Sequence, residues 1–135
     1  MKHSITIPYA KSNLQKVRNF IIEILQKEDL PEIEIHSMVL AVDEVCANLI
    51  IHSKNCSSDQ TIEIKMEVFK DKVVYDIHDN GIGFDIRQYP EPDISEIIKN
   101  KRKGGVGLML VKRIMDEIDF ISKKGHSVVR LTKFL

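Results

Sequence analysis

From about Ile33 to His52 the chain is crowded with apolar residues, among them Val39, Leu40, Ala41, Val42, Val45, Cys46, Ala47, Leu49, Ile50 and Ile51. A helix of that composition has no polar face wide enough for solvent, so it is predicted to be buried on most sides. Other elements must cover it, and the rest of the sequence supplies them. Ser4 to Pro8 reads as a short strand, with Ile5 and Ile7 on one side and a closing proline suited to a strand end or edge. Ser12 offers an N-cap. Behind it Leu14, Val17, Phe20, Ile21, Ile24 and Leu25 recur at helical spacing, giving an amphipathic helix that ends near Glu28, before Leu30-Pro31. Further on, Ile62, Ile64, Met66 and Val68 alternate with charged residues, and Val73, Tyr75 and Ile77 continue the pattern after a turn at Lys70 to Lys72. That is an antiparallel hairpin. A third helix is expected from Val106 to Met115, then two strands, Phe120 to Ser122 and Val128 to Phe134, about a turn at Lys123 to His126.

The order β-α-α-β-β-loop-α-β-β, with hairpins apolar on one side and polar on the other, predicts an α+β fold. Its form is a two-layer α/β sandwich: a mixed, mostly antiparallel sheet, three helices on one face, and the other face wet. A chain of 135 residues suits one domain, residues 1–135. The stretch 86–103 contains Pro90, Pro92 and a basic run, and reads as a mobile segment.

Charge narrows the function classes. Twenty Lys plus Arg balance twenty Asp plus Glu, which removes the basic field that nucleic-acid and anionic-membrane binders carry. The N-terminus has no apolar core of an export signal, and no stretch approaches the roughly 18 apolar residues needed to span a bilayer. Cys46 and Cys56 lack a C-x-x-C spacing, so both are expected to be free thiols of a cytoplasmic protein.

Three segments carry candidate chemistry. In the second helix Glu44, Asn48 and His52 fall four apart and stack along one stripe. The stripe reads either as a solvent-facing edge, with His52 favoured by the helix dipole, or as the floor of a cleft lined by a carboxylate and a carboxamide. Next, His78-Asp79-Asn80-Gly81-Ile82-Gly83-Phe84-Asp85 follows a strand. Asn-Gly alone signals a hairpin turn. The second glycine lets the backbone approach something flat and close, and the Asp79 carboxylate can accept a hydrogen bond from an exocyclic amine such as that of adenine. Lastly, Lys103-Gly104-Gly105-Val106-Gly107-Leu108 opens a helix, where exposed amide groups and the positive end of the dipole suit a phosphate. The run Lys99, Lys101, Arg102, Lys103 is either a solvated patch or a cover for a triphosphate.

In this order and on these elements, the three segments resemble the N, G1 and G2 boxes of the GHKL ATPase superfamily, whose members share the Bergerat ATP-binding fold. Leu40-Ala41-Val42-Asp43-Glu44 through Asn48 and His52, with Gly105-Val106-Gly107-Leu108 through Met115-Asp116-Glu117, is similar in particular to the bacterial anti-sigma-factor serine/threonine kinases. The resemblance implies ATP and Mg²⁺ as cofactors, Glu44 as general base, and Asn48 as the Mg²⁺ ligand within an ATP site that includes His52. It implies that Asp79 meets the adenine amine in a pocket shaped by Gly81, Gly83 and Phe84. Gly104 to Leu108 would hold phosphate, and 86–103 would be the ATP lid. Two departures stand out. Arginine usually precedes the last glycine box, where Lys103 or Arg102 must serve here, and Ser127 stands in for a threonine near the adenine. The implied partners are a STAS-type anti-anti-sigma protein as substrate and a sigma factor, without direct nucleic-acid or membrane contact; family precedent allows a homodimer. Two other readings are a non-catalytic nucleotide-binding interaction module of the same fold, and a histidine-kinase catalytic domain. Against the second stands the lack of room for a dimerisation helix with its phosphoacceptor histidine.

Overall fold

Alternation of apolar and polar side chains builds most of the sheet. The structure, a computed structural model, describes residues 2–52, 61–79, 105–123 and 126–135. Its strands are β1 (Lys2–Pro8), β2 (Thr61–Val68), β3 (Lys72–Asp79), β4 (Glu117–Lys123) and β5 (His126–Phe134), ordered β1-β2-β3-β5-β4. Every described pairing is antiparallel, so the sheet expected to be mixed shows no parallel neighbours among the described residues. The register sorts the side chains into rungs. Ile5, Ile64, Ile77, Val129 and Phe120 form one, facing the core; the next, Ser4, Lys65, Asp76, Arg130 and Asp119, faces the other way. Successive residues of a strand point to opposite faces, so this register fixes which side is apolar.

Among the described residues three α-helices cover the apolar side: α1 (Leu14–Gln26), α2 (Glu32–His52) and α3 (Gly105–Ile114). α1 buries Leu14, Val17, Ile21 and Leu25, one stripe at helical spacing. α2 packs against α1, α3 and β3, and contributes Met38, Ala41, Val42, Val45, Cys46 and Leu49 to the core. Fully burying side chains such as Ile64, Ile77 or Leu131 contributes about 1.5–3 kcal/mol each, so this layer contact is the main source of stability. Burial also pushes the Cys46 thiol up to about 12, and the cysteine is free as expected. Cys56 lies outside the described residues.

The structure departs from the sequence reading in several places. Ser12 does not cap α1: Lys11–Asn13 form a 3-10 turn, and Asn13, at the cap position, uses its amide to donate to the Pro8 carbonyl at 3.2 Å. α1 ends at Gln26, and Asp29 turns the chain with a φ of 57°, a left-handed conformation Asp tolerates better than most residues. Leu40, expected in the buried set, is exposed beside the still more exposed Ile33. β4 starts at Glu117, three residues before the expected Phe120.

The wet face is crossed by the Arg130–Asp76 pair, a two-pronged bridge with Nε–Oδ1 at 2.7 Å and Nη2–Oδ2 at 2.9 Å. Around it lies an open concavity of about 660 Å³, lined by Lys65, Asp76, Arg130, Thr132, Glu117 and Asp119 among others. It stands on the side of the sheet opposite the motif residues described next.

Candidate functional site

The candidate residues of the sheet stand at one end of its strands, on the helix side. β3 ends at Asp79 in register with Ile62 of β2 and Ser127 of β5. Alternation from Ile77 and Val129 turns Asp79 and Ser127 toward the helix layer, and both are buried, at 4% and 2% exposure. The chain leaves β3 here for the segment that bears Gly81 and Gly83. It re-enters the sheet at the same end at Thr61, after α2 has ended at His52.

The C-terminus of α3 lies at the opposite end of the strands. This helix ends at Ile114; two residues on, the Asp116 amide donates to the Thr132 carbonyl at 2.9 Å, where β4 begins at Glu117. The helix has ten residues, about 15 Å at 1.5 Å per residue. The Glu117–Thr132 and Asp79–Ser127 rungs are separated by five residues of β5, about 17 Å. A helix of that length is long enough to span the distance between the two rungs. Gly105 to Leu108 form the first turn of α3, which carries no acidic residue, while Lys112 and Arg113 sit in the last turn, where cations suit the dipole.

The α2 stripe is resolved in favour of burial for one member. Asn48 is only 3% exposed, so it does not lie on a solvent-facing edge. It also has a structural task that the sequence did not show: its amide nitrogen donates to the Glu44 carbonyl one turn back, at 2.7 Å. In a carboxamide the nitrogen and oxygen point apart, so committing the nitrogen to the helix leaves the oxygen as the atom available to a cation. Mg²⁺ accepts oxygen ligands and retains waters, so a single protein oxygen fits it. Among the described residues no group of three His, Cys, Asp or Glu side chains comes together to hold a metal.

Glu44 is half-buried. Desolvation raises its pKa above the ordinary glutamate range, the adjacent Asp43 charge adds to the rise, and Arg18 opposes it. A carboxylate held in this way takes up a proton more readily than an exposed one. Arg18 of α1 grips Asp43 by two bonds, Nε–Oδ1 at 2.7 Å and Nη2–Oδ2 at 3.3 Å. Sequence reasoning missed this pair, because no local pattern links positions 25 apart.

Of the other sequence-predicted residues, Gly81, Gly83, Phe84, Arg102, Lys103 and Gly104 lie outside the described residues, as does the whole segment 86–103. His52 is placed as the last residue of α2. The described members therefore stand on three elements: Glu44, Asn48 and His52 on α2, with Glu44 and Asn48 joined; Asp79 and Ser127 side by side on the sheet beneath the helix layer; and Gly105 to Leu108 on the first turn of α3.

The chain is similar to known proteins in three respects. The sequence pattern of the histidine kinase-like ATPase domain matches residues 7–133. Two bacterial proteins named serine-protein kinase RsbW are each 30% identical to the chain: that of Listeria monocytogenes over 105 residues, 75% of this chain, and that of Bacillus velezensis over 107 residues, 76% of this chain. The match spans 66% of the length of each relative. Among solved structures, the RsbU and RsbW domains of a Mycobacterium tuberculosis protein superpose with a TM-score of 0.71 at 17% identity, covering 99% of this chain and 32% of that one. The SiaB–SiaC complex of Pseudomonas aeruginosa gives 0.64 at 13% identity, covering 98% of this chain and 89% of its own. These two likenesses establish the shared fold.

Proposed function

Since the chain belongs to the histidine kinase-like ATPase domain family, we propose that it is a cytoplasmic ATP- and Mg²⁺-dependent serine/threonine protein kinase that acts as an anti-sigma factor. Its substrate is a STAS-type anti-anti-sigma protein and its alternate partner a sigma factor, which together make a partner-switching system. The observation that carries this reading is on α2, where the half-buried Glu44 stands one turn from the buried Asn48, whose amide nitrogen is already committed to the helix. The names of the RsbW relatives support it.

In this reading Asp79 accepts a hydrogen bond from the adenine amine, within the pocket of Gly81, Gly83, Phe84 and Ser127. The amides from Gly104 to Leu108, at the positive end of α3, hold the phosphates. Arg102 or Lys103 offsets the charge that gathers on the transferring group, and 86–103 closes over it as a lid. His52 borders the nucleotide from the end of α2. The Asn48 oxygen would hold Mg²⁺, which would supply positive charge to offset that of the phosphates. Glu44 takes the proton of the substrate hydroxyl while that oxygen bonds to the γ-phosphorus; the bond from phosphorus to the β–γ bridging oxygen breaks, and ADP leaves.

Glu44→Gln separates a kinase from a non-catalytic module of the same fold. The variant keeps shape and hydrogen bonding but cannot accept a proton. It is expected to bind ADP and the STAS-type partner as the wild type does, while transferring phosphate about 10²- to 10⁴-fold more slowly. The assay is transfer of labelled γ-phosphate to candidate STAS-type proteins, with complex formation followed in parallel. Wild-type protein that binds nucleotide and partner yet modifies none of them would establish the non-catalytic alternative.

A further inference from the structure

Two carboxylates stand next to each other at the centre of α2, yet only one has the freedom to act as a base. Asp43 is 15% exposed at its side chain and is engaged through both oxygens by Arg18. The guanidinium is held in turn from its own helix, because Nη1 donates to the Gln15 oxygen at 3.2 Å and Gln15 donates to Asn19 at 3.0 Å. All three nitrogens of Arg18 are therefore occupied, and a planar fork bound at both prongs fixes the rotamer of the carboxylate it grips.

We propose that Arg18 is a positioning residue for the phosphotransfer reaction: by locking Asp43 against α1 it withholds that carboxylate from the substrate hydroxyl and from Mg²⁺, and so dedicates Glu44 to the chemistry. The inference rests on the kinase reading above. Adjacent helical residues are about 100° apart, so a change of rotamer would bring a released Asp43 toward the face that Glu44 occupies. There its oxygens would compete for the same hard cation and its negative charge would crowd Glu44. Lysine could supply the charge of Arg18 but not the two-pronged hold.

The test compares Arg18→Met, Arg18→Lys, Asp43→Asn and the double variant Arg18→Met/Asp43→Asn with wild type. It measures kcat and KM for phosphorylation of a STAS-type partner, and Mg²⁺-ADP affinity by calorimetry. Arg18→Met is expected to lower kcat about tenfold while leaving KM and ADP affinity within about twofold, the pattern of lost transition-state organisation without lost binding. Arg18→Lys falls between it and wild type. Asp43→Asn alone stays near wild type, and adding it to Arg18→Met restores kcat to within about threefold, because the stray charge is gone.

A bridge that merely holds the helices together predicts otherwise: Asp43→Asn would be as damaging as Arg18→Met, and the double variant would recover nothing. Either that pattern, or an Arg18→Met enzyme equal to wild type, overturns the inference and leaves the kinase reading intact. Should Arg18→Met fail to fold, Arg18→Lys and the double variant decide. Wild-type protein that phosphorylates no partner refutes the kinase reading, and the positioning role with it.

Discussion

Replacing Asn48 by leucine separates what this side chain does for the fold from what it does for a ligand. The substitution removes one neutral side chain–backbone hydrogen bond, made to the Glu44 carbonyl at 2.7 Å, worth about 0.5–1.5 kcal/mol. That carbonyl is not orphaned, because the backbone N–H of Asn48 itself bonds to it within α2. Leucine recovers a few tenths of a kcal/mol in helix propensity. It also adds apolar burial at a position that is 3% exposed, offset by about 1–3 kcal/mol if its branched end is crowded. The sum is within about 1 kcal/mol of zero, or about 4 °C in Tm for a chain of this size. Nucleotide binding is expected to respond differently. Adding Mg²⁺ should tighten ADP binding to the wild type and have no effect on Asn48→Leu, whose affinity should match that of the wild type in a chelator. Calorimetry with and without Mg²⁺, beside a thermal melt, reads both quantities. A retained Mg²⁺ effect in the folded variant would refute the ligand role. A Tm drop well beyond 4 °C would show that the amide matters mainly to the fold.

Two further outcomes are expected. Asp79→Asn, at a strand end that is 4% exposed, should remove most ATP and ADP affinity, because a carboxylate accepts from the purine amine with either oxygen whereas an amide can present N–H there; unchanged affinity in a folded variant would remove the adenine assignment. Tyr75 is buried and its hydroxyl donates to the Met38 sulfur at 3.2 Å, and burial pushes its pKa far above the ordinary value of 10.0. The folded state therefore keeps a proton that the unfolded state releases above about pH 10, so stability must fall as pH rises beyond that point. Tyr75→Phe should flatten this alkaline loss in denaturation curves, and an unchanged slope would refute the assignment.

The elements that could be read from the sequence are those whose own residues decide them. The alternation from Ile62 to Val68 and from Val73 to Ile77 places its apolar members in the core, as expected. The spacing of Leu14, Val17, Ile21 and Leu25 defines the buried stripe of α1. The described parts of the three polar motifs fall on the elements expected for them, Asp79 at the end of β3, Gly105 at the start of α3 and Asn48 within α2. α2 shows where this stops. With apolar residues on nearly every side, its sequence does not say which direction faces the core, and packing against α1, α3 and β3 decides. Leu40 is consequently exposed while Asn48, two turns on, is buried. Long-range pairs were equally invisible: the Asp79–Ser127 rung and the Arg18–Asp43 bridge exist only once the sheet register and the helix crossing are set.

The distribution of buried polarity supports the location of the site independently of the motifs. Among the described residues, four polar side chains fall in the buried class: Asn48, Asp79, Ser127 and Thr132. Burying such groups costs free energy unless each finds a partner. Thr132 lies in the rung with Glu67, Val74 and Glu117 on the wet face. The other three are on the helix side: Asp79 lies between Ile62 and Ser127 in the sheet, and Asn48 lies on the turn with Val45 and Leu49, bonded to the Glu44 carbonyl. A layer selected for stability alone would fill these positions with apolar side chains of similar volume, since core packing tolerates such exchange and gains from it. Their presence on the helix side suits a ligand site there, because rigid and partly desolvated polar groups bind more strongly than the same groups in water. The Asn48→Leu experiment follows from that reasoning. A variant no less stable than wild type, yet unable to respond to Mg²⁺, would show directly that the fold tolerates this amide for the sake of its ligand.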